Sequence, residues 1–349
     1  MMRILINTPS LRILGGVANH YAGLKEFWTA NVKYNTVGRR SEKGCSGKYW
    51  LPWDIVKFVF KLFTFCPNVV LVNPSLGNAA LKRDFLFMNI ARCLGFKVAV
   101  FIHGFNLDYA QKVDKPWICK NLNRANLIFV LAKLFKETLG SWGIETPIVL
   151  ATTKVNDNLI RNFKISQRIG DVRNILFLAR VEEEKGIYIV LKIYEILKKE
   201  FPFLTLSIVG GGSKLDDVRE YTVNNRLADV RIAGPLSGND LIREFEMADL
   251  YLFPSYGEGM PTSVLEAMAF GLPVFTRYVG GLSDFFLNEK MGFITDSLEP
   301  QVYVAAIKTY ILNPNRVTYT ASFNHFYACE HFMASKVAQS IENQLRSIL

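Results

Sequence analysis

The chain is 349 residues long, with half its residues apolar and 21% charged, a balance that suits two globular domains and excludes long disordered tracts. Cys45, Cys66, Cys93, Cys119 and Cys329 lie without Cys-x-x-Cys spacing, which speaks against a disulfide framework and for a reducing cytosol; the three apolar residues after Arg3 are too few for a signal peptide, and no run approaches the ~18 apolar residues of a transmembrane helix. The formal charge of +10 is uneven: residues 1–165 hold 23 Lys and Arg against 9 Asp and Glu, whereas 166–349 hold 18 against 22, so the first half is expected to meet an anionic surface or substrate.

Residues 3–8 form a short apolar run that ends in a Pro-containing loop, followed by Gly15-Gly16 and an apolar-periodic stretch over 17–28: strand, glycine loop, helix. Residues 50–65 are dense in Trp, Phe, Ile, Val and Leu, interrupted by Lys57 and Lys61, which lie four apart on one helical face. Two readings follow: a basic amphipathic helix at a bilayer interface, or a core helix with its lysines in water. Strands are expected at 69–73, 98–103 and 127–131, with a helix over 81–94.

A polar stretch without periodicity, 151–171, reads as a hinge. The rhythm then restarts, with strands at 174–178, 204–209, 230–232, 250–253 and 274–276 and helices over 187–200, 213–224, 240–248 and 262–270. Strands alternating with helices predict parallel sheets and two doubly wound α/β domains, 1–165 and 166–349. The last helix is a candidate to pack back on the first domain.

The most informative stretch is Phe253-Pro-Ser-Tyr-Gly-Glu-Gly-Met-Pro-Thr-Ser-Val-Leu-Glu-Ala-Met-Ala-Phe-Gly-Leu-Pro273, a strand end, a tight loop and a helix with both ends marked. Pro261 suits the first helical turn, Gly271 the position just past the end, and Pro273 prevents continuation. Glu258 falls in the glycine-flanked loop and Glu266 inside the helix. Gly257 and Gly259 let the backbone approach a ligand, and the helix start offers unpaired N–H groups and a positive dipole end, so Met260, Pro261, Thr262, Ser263, Val264 and Leu265 frame a phosphate seat between two carboxylates. A carboxylate only accepts, so each can hold a pair of sugar hydroxyls. A nucleotide sugar has that layout.

This stretch resembles the signature of glycosyltransferase family 4, the retaining transferases of GT-B fold, in which two Rossmann-like domains face each other across a donor-binding cleft. The resemblance implies that Glu258 contacts the donor sugar and Glu266 the nucleotide ribose. Phe177-Leu-Ala-Arg-Val-Glu-Glu-Glu-Lys-Gly186 resembles the family's strand and loop with an Arg and a Lys on the donor diphosphate, which assigns Arg180 and Lys185; two cations there would neutralise charge building on the leaving phosphate. Ile208-Val-Gly-Gly-Gly-Ser213, with Gly210 and Gly211, resembles the glycine loop of the nucleotide domain, and 231–235 the strand that contacts the base. Gly15-Gly16 resembles the first-domain loop facing the donor phosphate, and His103-Gly104 the histidine that meets the donor sugar. Thr152-Thr-Lys-Val-Asn-Asp157 stands where the family has an Asn-Gly turn, and Ala179 where it has Gly.

No Asp-x-Asp motif and no cluster at metal-ligand spacing appears, so neither a metal nor another cofactor is required, and the nucleotide sugar serves as co-substrate. The resemblance implies retention by front-face attack, with the leaving phosphate helping to take the acceptor's proton. The expected function is transfer from a nucleoside diphosphate sugar, UDP-linked ahead of GDP-linked, to a glycan or lipid-linked glycan acceptor in cell-surface polysaccharide synthesis. A cytoplasmic location with peripheral contact at an anionic membrane face is expected, the +14 first domain with Lys57 and Lys61 being the acceptor or membrane side. Nucleic acid has no supporting module. The alternatives are a catalytically silent nucleotide-sugar-binding scaffold and a sugar-nucleotide epimerase of GT-B fold.

Overall fold

The structure is a computed structural model that describes residues 1–13, 15–38, 40, 47–76, 78–105, 107–168 and 170–349; Cys45 lies outside them. The chain divides into two compact units, Met1–Lys154 with Ala334–Leu349, and Val155–Met333. Each is a Rossmann-like parallel α/β unit.

The first unit's strands are β1 (Arg3–Thr8), β2 (Asn31–Thr36), β3 (Val69–Val72), β4 (Ser75–Leu76), β5 (Lys97–Ile102), β6 (Gly104–Phe105), β7 (Leu127–Val130) and β8 (Ile148–Leu150). β4 and β6 pair separately, and the other six form a parallel sheet in the order β2-β1-β3-β5-β7-β8. Helices α1 (Gly16–Leu24), α2 (Leu51–Phe65), α3 (Asn78–Cys93), α4 (Leu107–Lys112), α5 (Lys115–Leu122) and α6 (Lys133–Ser141) connect them. Every residue of β3 and β7 is buried, as expected of central strands covered on both faces. The chain reverses its direction of travel across the sheet between β1 and β3. That is where doubly wound sheets open a crevice beyond the strands' carboxyl ends.

The second unit holds β9 (Asn174–Leu178), β10 (Thr205–Val209), β11 (Val230–Gly234), β12 (Leu250–Phe253), β13 (Val274–Arg277) and β14 (Gly292–Thr295), in the order β11-β10-β9-β12-β13-β14. Its switch point lies between β9 and β12. Helices α7 (Ile187–Glu200), α8 (Leu215–Asn224), α9 (Gly238–Met247), α10 (Thr262–Ala269), α11 (Pro300–Ile311) and α12 (Pro314–His331) complete it. Arg168 terminates two of these helices at once: its guanidinium donates to the carbonyls of Phe245 (2.6 Å), Glu246 (3.1 Å) and Ala248 at the end of α9, and to Phe270 (2.8 Å) at the end of α10. Those carbonyls have no helical partner, and the cation meets the negative dipole ends. Gly271, at φ +71°, then turns the chain out of α10 as a left-handed residue.

Helix α13 (Ala334–Arg346) belongs to the first unit. Its buried Glu342 accepts from the backbone N–H groups of Thr29 (2.7 Å) and Ala30 (2.9 Å) and from the Thr29 hydroxyl. The stretch 151–171, expected as a hinge, contains the division at Lys154–Val155 and two short 3-10 turns, Asp157–Leu159 and Ile165–Gln167.

Candidate functional site

In the second unit the loops that follow β9, β10 and β12 are tied to one another by their backbones. Ala179 and Val181 donate to the carbonyls of Val209 (3.1 Å) and Gly211 (3.0 Å), Lys214 donates to Val181 (3.1 Å), and Tyr256 donates to Glu184 (2.9 Å). Contact this close needs glycine. A Cβ on Gly210 would lie 1.8 Å from the Ala179 oxygen, one on Gly212 2.2 Å from the Val181 oxygen, and one on Gly186 2.3 Å from the Pro254 oxygen. Gly257 is different: a Cβ there would meet nothing within 4 Å, and at Gly211 only Pro235 at 3.8 Å. Loop packing accounts for the first three glycines and leaves Gly211 and Gly257 facing open space.

Charge gathers on these loops. Lys185 Nζ donates to Glu258 Oε1 at 2.6 Å, and the Ser255 hydroxyl donates to the same oxygen at 2.9 Å. The two charged side chains are only 14% and 16% exposed, so the pair is shielded as well as close. Glu182 accepts from the Ser213 N–H (2.8 Å) and hydroxyl (2.6 Å), which hold its carboxyl below the usual range. Arg180 is two-thirds exposed and pairs with Glu184 at 3.1 Å. The structure thus brings Lys185 to Glu258 and leaves Arg180 on the rim.

Pro261 occupies the N-cap position of α10, one residue ahead of the first turn, and no side chain caps the helix. Val264 donates its N–H back to the Pro261 carbonyl (3.1 Å), and the side chains of Val264 and Leu265 are fully buried. Thr262 and Ser263 are half-buried, as are Gly259, Met260 and Glu266. Beneath them the Tyr251 hydroxyl donates to the Leu178 carbonyl (2.9 Å) and lies 2.7 Å from Ser263 Oγ. Burial, with the charges of Glu266 and Glu258 alongside, keeps that phenol protonated. The loop is also supported from behind. Gly281 donates to the Gly259 carbonyl at 2.8 Å, and Gly280 is left-handed at φ +51°.

The first unit holds a second polar constellation at its own switch point. His103, just past β5, stacks on Phe101 with ring centres 4.0 Å apart, and its Nε2 lies 3.1 Å from Asn73 Oδ1. Asn73 Nδ2 donates to the Asn7 carbonyl at 2.8 Å, which fixes the amide's orientation, and the Tyr21 hydroxyl donates to Oδ1 at 2.5 Å. An acceptor facing Nε2 requires the proton there. Burial pushes the His103 pKa down to about 3, so the ring is neutral at physiological pH and Nδ1 is a lone-pair acceptor. His20 of α1 meets His103 edge-on at 4.9 Å, is buried, and is likewise held neutral by burial. Gly15 and Gly16, ahead of it, are exposed, and a Cβ at either would meet nothing within 4 Å.

Several residues of these sites escaped the sequence reading: Ser255, Tyr251, Gly280 and Gly281 around the Glu258 loop, and Asn73, Tyr21 and His20 around His103. The pair Gly280-Gly281 just after a buried strand was a usable signal. The others become visible only once the strands are ordered.

Residues 160–322 match the family model of glycosyl transferases group 1. An uncharacterized glycosyltransferase of Haemophilus influenzae is 29% identical over 143 residues, 41% of this chain and 40% of that protein. The amylovoran biosynthesis glycosyltransferase AmsK of Erwinia amylovora is 24% identical over 225 residues, 61% of this chain and 54% of its own. The chain therefore spans about half the length of these curated relatives, or less. Among solved structures, sucrose-phosphate synthase of Thermosynechococcus elongatus superposes with a TM-score of 0.78 at 15% identity, covering 100% of this chain and 99% of that one. HepE of Anabaena, solved with UDP-glucose, gives 0.74 at 17% identity, covering 99% and 100%. The likeness to these solved structures lies in the fold, two Rossmann-like α/β domains of GT-B type, and the family match falls within the second unit.

Proposed function

We propose that the protein is a retaining glycosyltransferase that takes a sugar from a nucleoside diphosphate sugar and passes it to a glycan or lipid-linked glycan in surface polysaccharide synthesis. The observation that carries the reading is the shielded Lys185–Glu258 pair at the second unit's switch point, beside a helix start with no capping side chain. Lys185 and the N–H groups of α10 hold the diphosphate and stabilise negative charge on the leaving phosphate. Glu258 accepts from hydroxyls of the transferred sugar and Glu266 from the ribose. Neither acts as a nucleophile. The leaving phosphate oxygen takes the acceptor's proton on the face from which it departs, which retains configuration. His103 accepts a sugar hydroxyl at Nδ1, and Arg180, already on the rim, moves from Glu184 to phosphate when a donor binds. The reading calls for no divalent ion, so turnover persists in a chelator.

HepE binds UDP-glucose, and UDP-sugars are accordingly the first donors to try. The purified protein is incubated with a panel of UDP- and GDP-sugars, and nucleoside diphosphate release and thermal stabilisation are measured. A donor at a hundred times its Kd adds about 2.7 kcal/mol of stability. Release should fall about 10²- to 10³-fold in Lys185→Ala and be lost in Glu266→Ala. Normal turnover in either variant removes the site assignment, and binding without release by the unaltered protein when glycan acceptors are also supplied makes it a silent binder.

A further inference from the structure

We infer that helix α2 is a membrane-docking element, which lays an exposed aromatic stripe and a flanking row of lysines on the anionic surface of a lipid bilayer. The helix has two apolar faces. Asp54, Phe58, Leu62 and Phe65 are buried in the first unit. Trp53, Val56, Phe60 and Phe63 recur at steps of three, four and three, which makes them a second stripe, and they remain 55%, 58%, 67% and 62% exposed. Tyr49 and Trp50, in the turn just before the helix, extend the aromatic surface. The first stripe accounts for the helix's place in the fold; the second does nothing for folding and calls for a partner.

Charge says what kind of partner. Lys57 lies 6.0 Å from the Trp53 ring, Lys33 4.6 Å from the Phe65 ring, and Lys61 donates to the Tyr34 carbonyl at 2.8 Å. Burial, with the charges of Lys57 and Lys33, holds Lys61 below the ordinary lysine range, so these cations repel one another. Asp54, the one acid of the helix, is buried and already bound by Arg40 and the Gly38 N–H. Within the helix no carboxylate answers the lysines; anionic headgroups do. Aromatic side chains with flanking lysines on a surface helix are what an interfacial segment needs.

The test uses the full chain without sugar nucleotide, so its outcome is independent of the donor reading. Binding is measured by sedimentation with vesicles of phosphatidylcholine alone and of phosphatidylcholine mixed with phosphatidylglycerol. Binding to the mixed vesicles, lost at high salt, is expected. F60S/F63S should lower partitioning by about 100-fold or more, and Lys57→Glu by roughly 10- to 30-fold. Both Phe residues are solvent-exposed, and unchanged melting of F60S/F63S verifies that the fold survives. Three results overturn the inference: no vesicle binding by the unaltered protein, binding that F60S/F63S leaves intact, or a concentration-dependent dimer that F60S/F63S abolishes, which would assign the stripe to a second copy of the chain.

Discussion

Gly280→Ala tests whether the Glu258 loop is held in place from behind. The added Cβ would stand 2.0 Å from the Gly259 carbonyl oxygen and 2.5 Å from that of Glu258. Both are backbone atoms, so no side chain can swing aside, and the loop must retreat by at least about 1 Å before the overlap is relieved. The left-handed backbone at φ +51° adds about 1–2 kcal/mol for alanine. The expected loss of stability is about 1–3 kcal/mol, read as a lower urea midpoint. A displacement near 1 Å carries the Glu258 carboxylate away from Lys185, and misplacement on that scale lowers kcat/KM about 10²-fold. Gly257→Ala is the control: its Cβ meets nothing, so stability should not change, and any loss must appear as weaker donor binding. A Gly280→Ala protein with unaltered urea midpoint and unaltered kcat/KM refutes the buttress. A fall in stability with full turnover refutes its role in placing Glu258.

Three further outcomes follow from the geometry. Arg168→Ala leaves the carbonyls that end α9 and α10 without their donor and should cost about 3 kcal/mol in urea unfolding; a loss under about 0.5 kcal/mol would mean that water replaces the guanidinium. Burial lowers the pKa of His20 and lowers that of His103 to about 3, so as pH drops below 6.5 the unfolded chain binds protons that the native one refuses. That stability is full above pH 6.5 and falls as pH drops, by at most about 1.4 kcal/mol per pH unit for each histidine; His103→Gln should flatten the slope in pH-dependent melting, and an unchanged slope would remove the buried-neutral assignment. Asn73→Asp sets a carboxylate against His103 Nε2 and should raise its pKa, visible as a ring titration shifted upward in NMR; a ring that does not titrate differently denies the Asn73 contact.

What could be read from the sequence divides along a physical line. Central strands such as 250–253 and 174–178 are buried on both faces and announce themselves as apolar runs. Three of the four edge strands of the two large sheets, β2, β8 and β14, do not. In Asn31-Val-Lys-Tyr-Asn-Thr36 the burial alternates, exposed Asn31 and Lys33 against half-buried Val32 and Tyr34, and the run reads as loop. The glycines divide in the same manner. Gly210 and Gly211 are adjacent and look equivalent as letters, yet a Cβ on the first would strike a carbonyl oxygen at 1.8 Å while the second has open space. Only the second therefore leaves room beside its Cα. The helix at 50–65 is legible as amphipathic and basic, but one dimension cannot separate a stripe that packs from a stripe that does not. Phe58 and Leu62 go to the core while Phe60 and Phe63, two and one positions away, stay exposed, so packing accounts for one apolar face of the helix and leaves the other open.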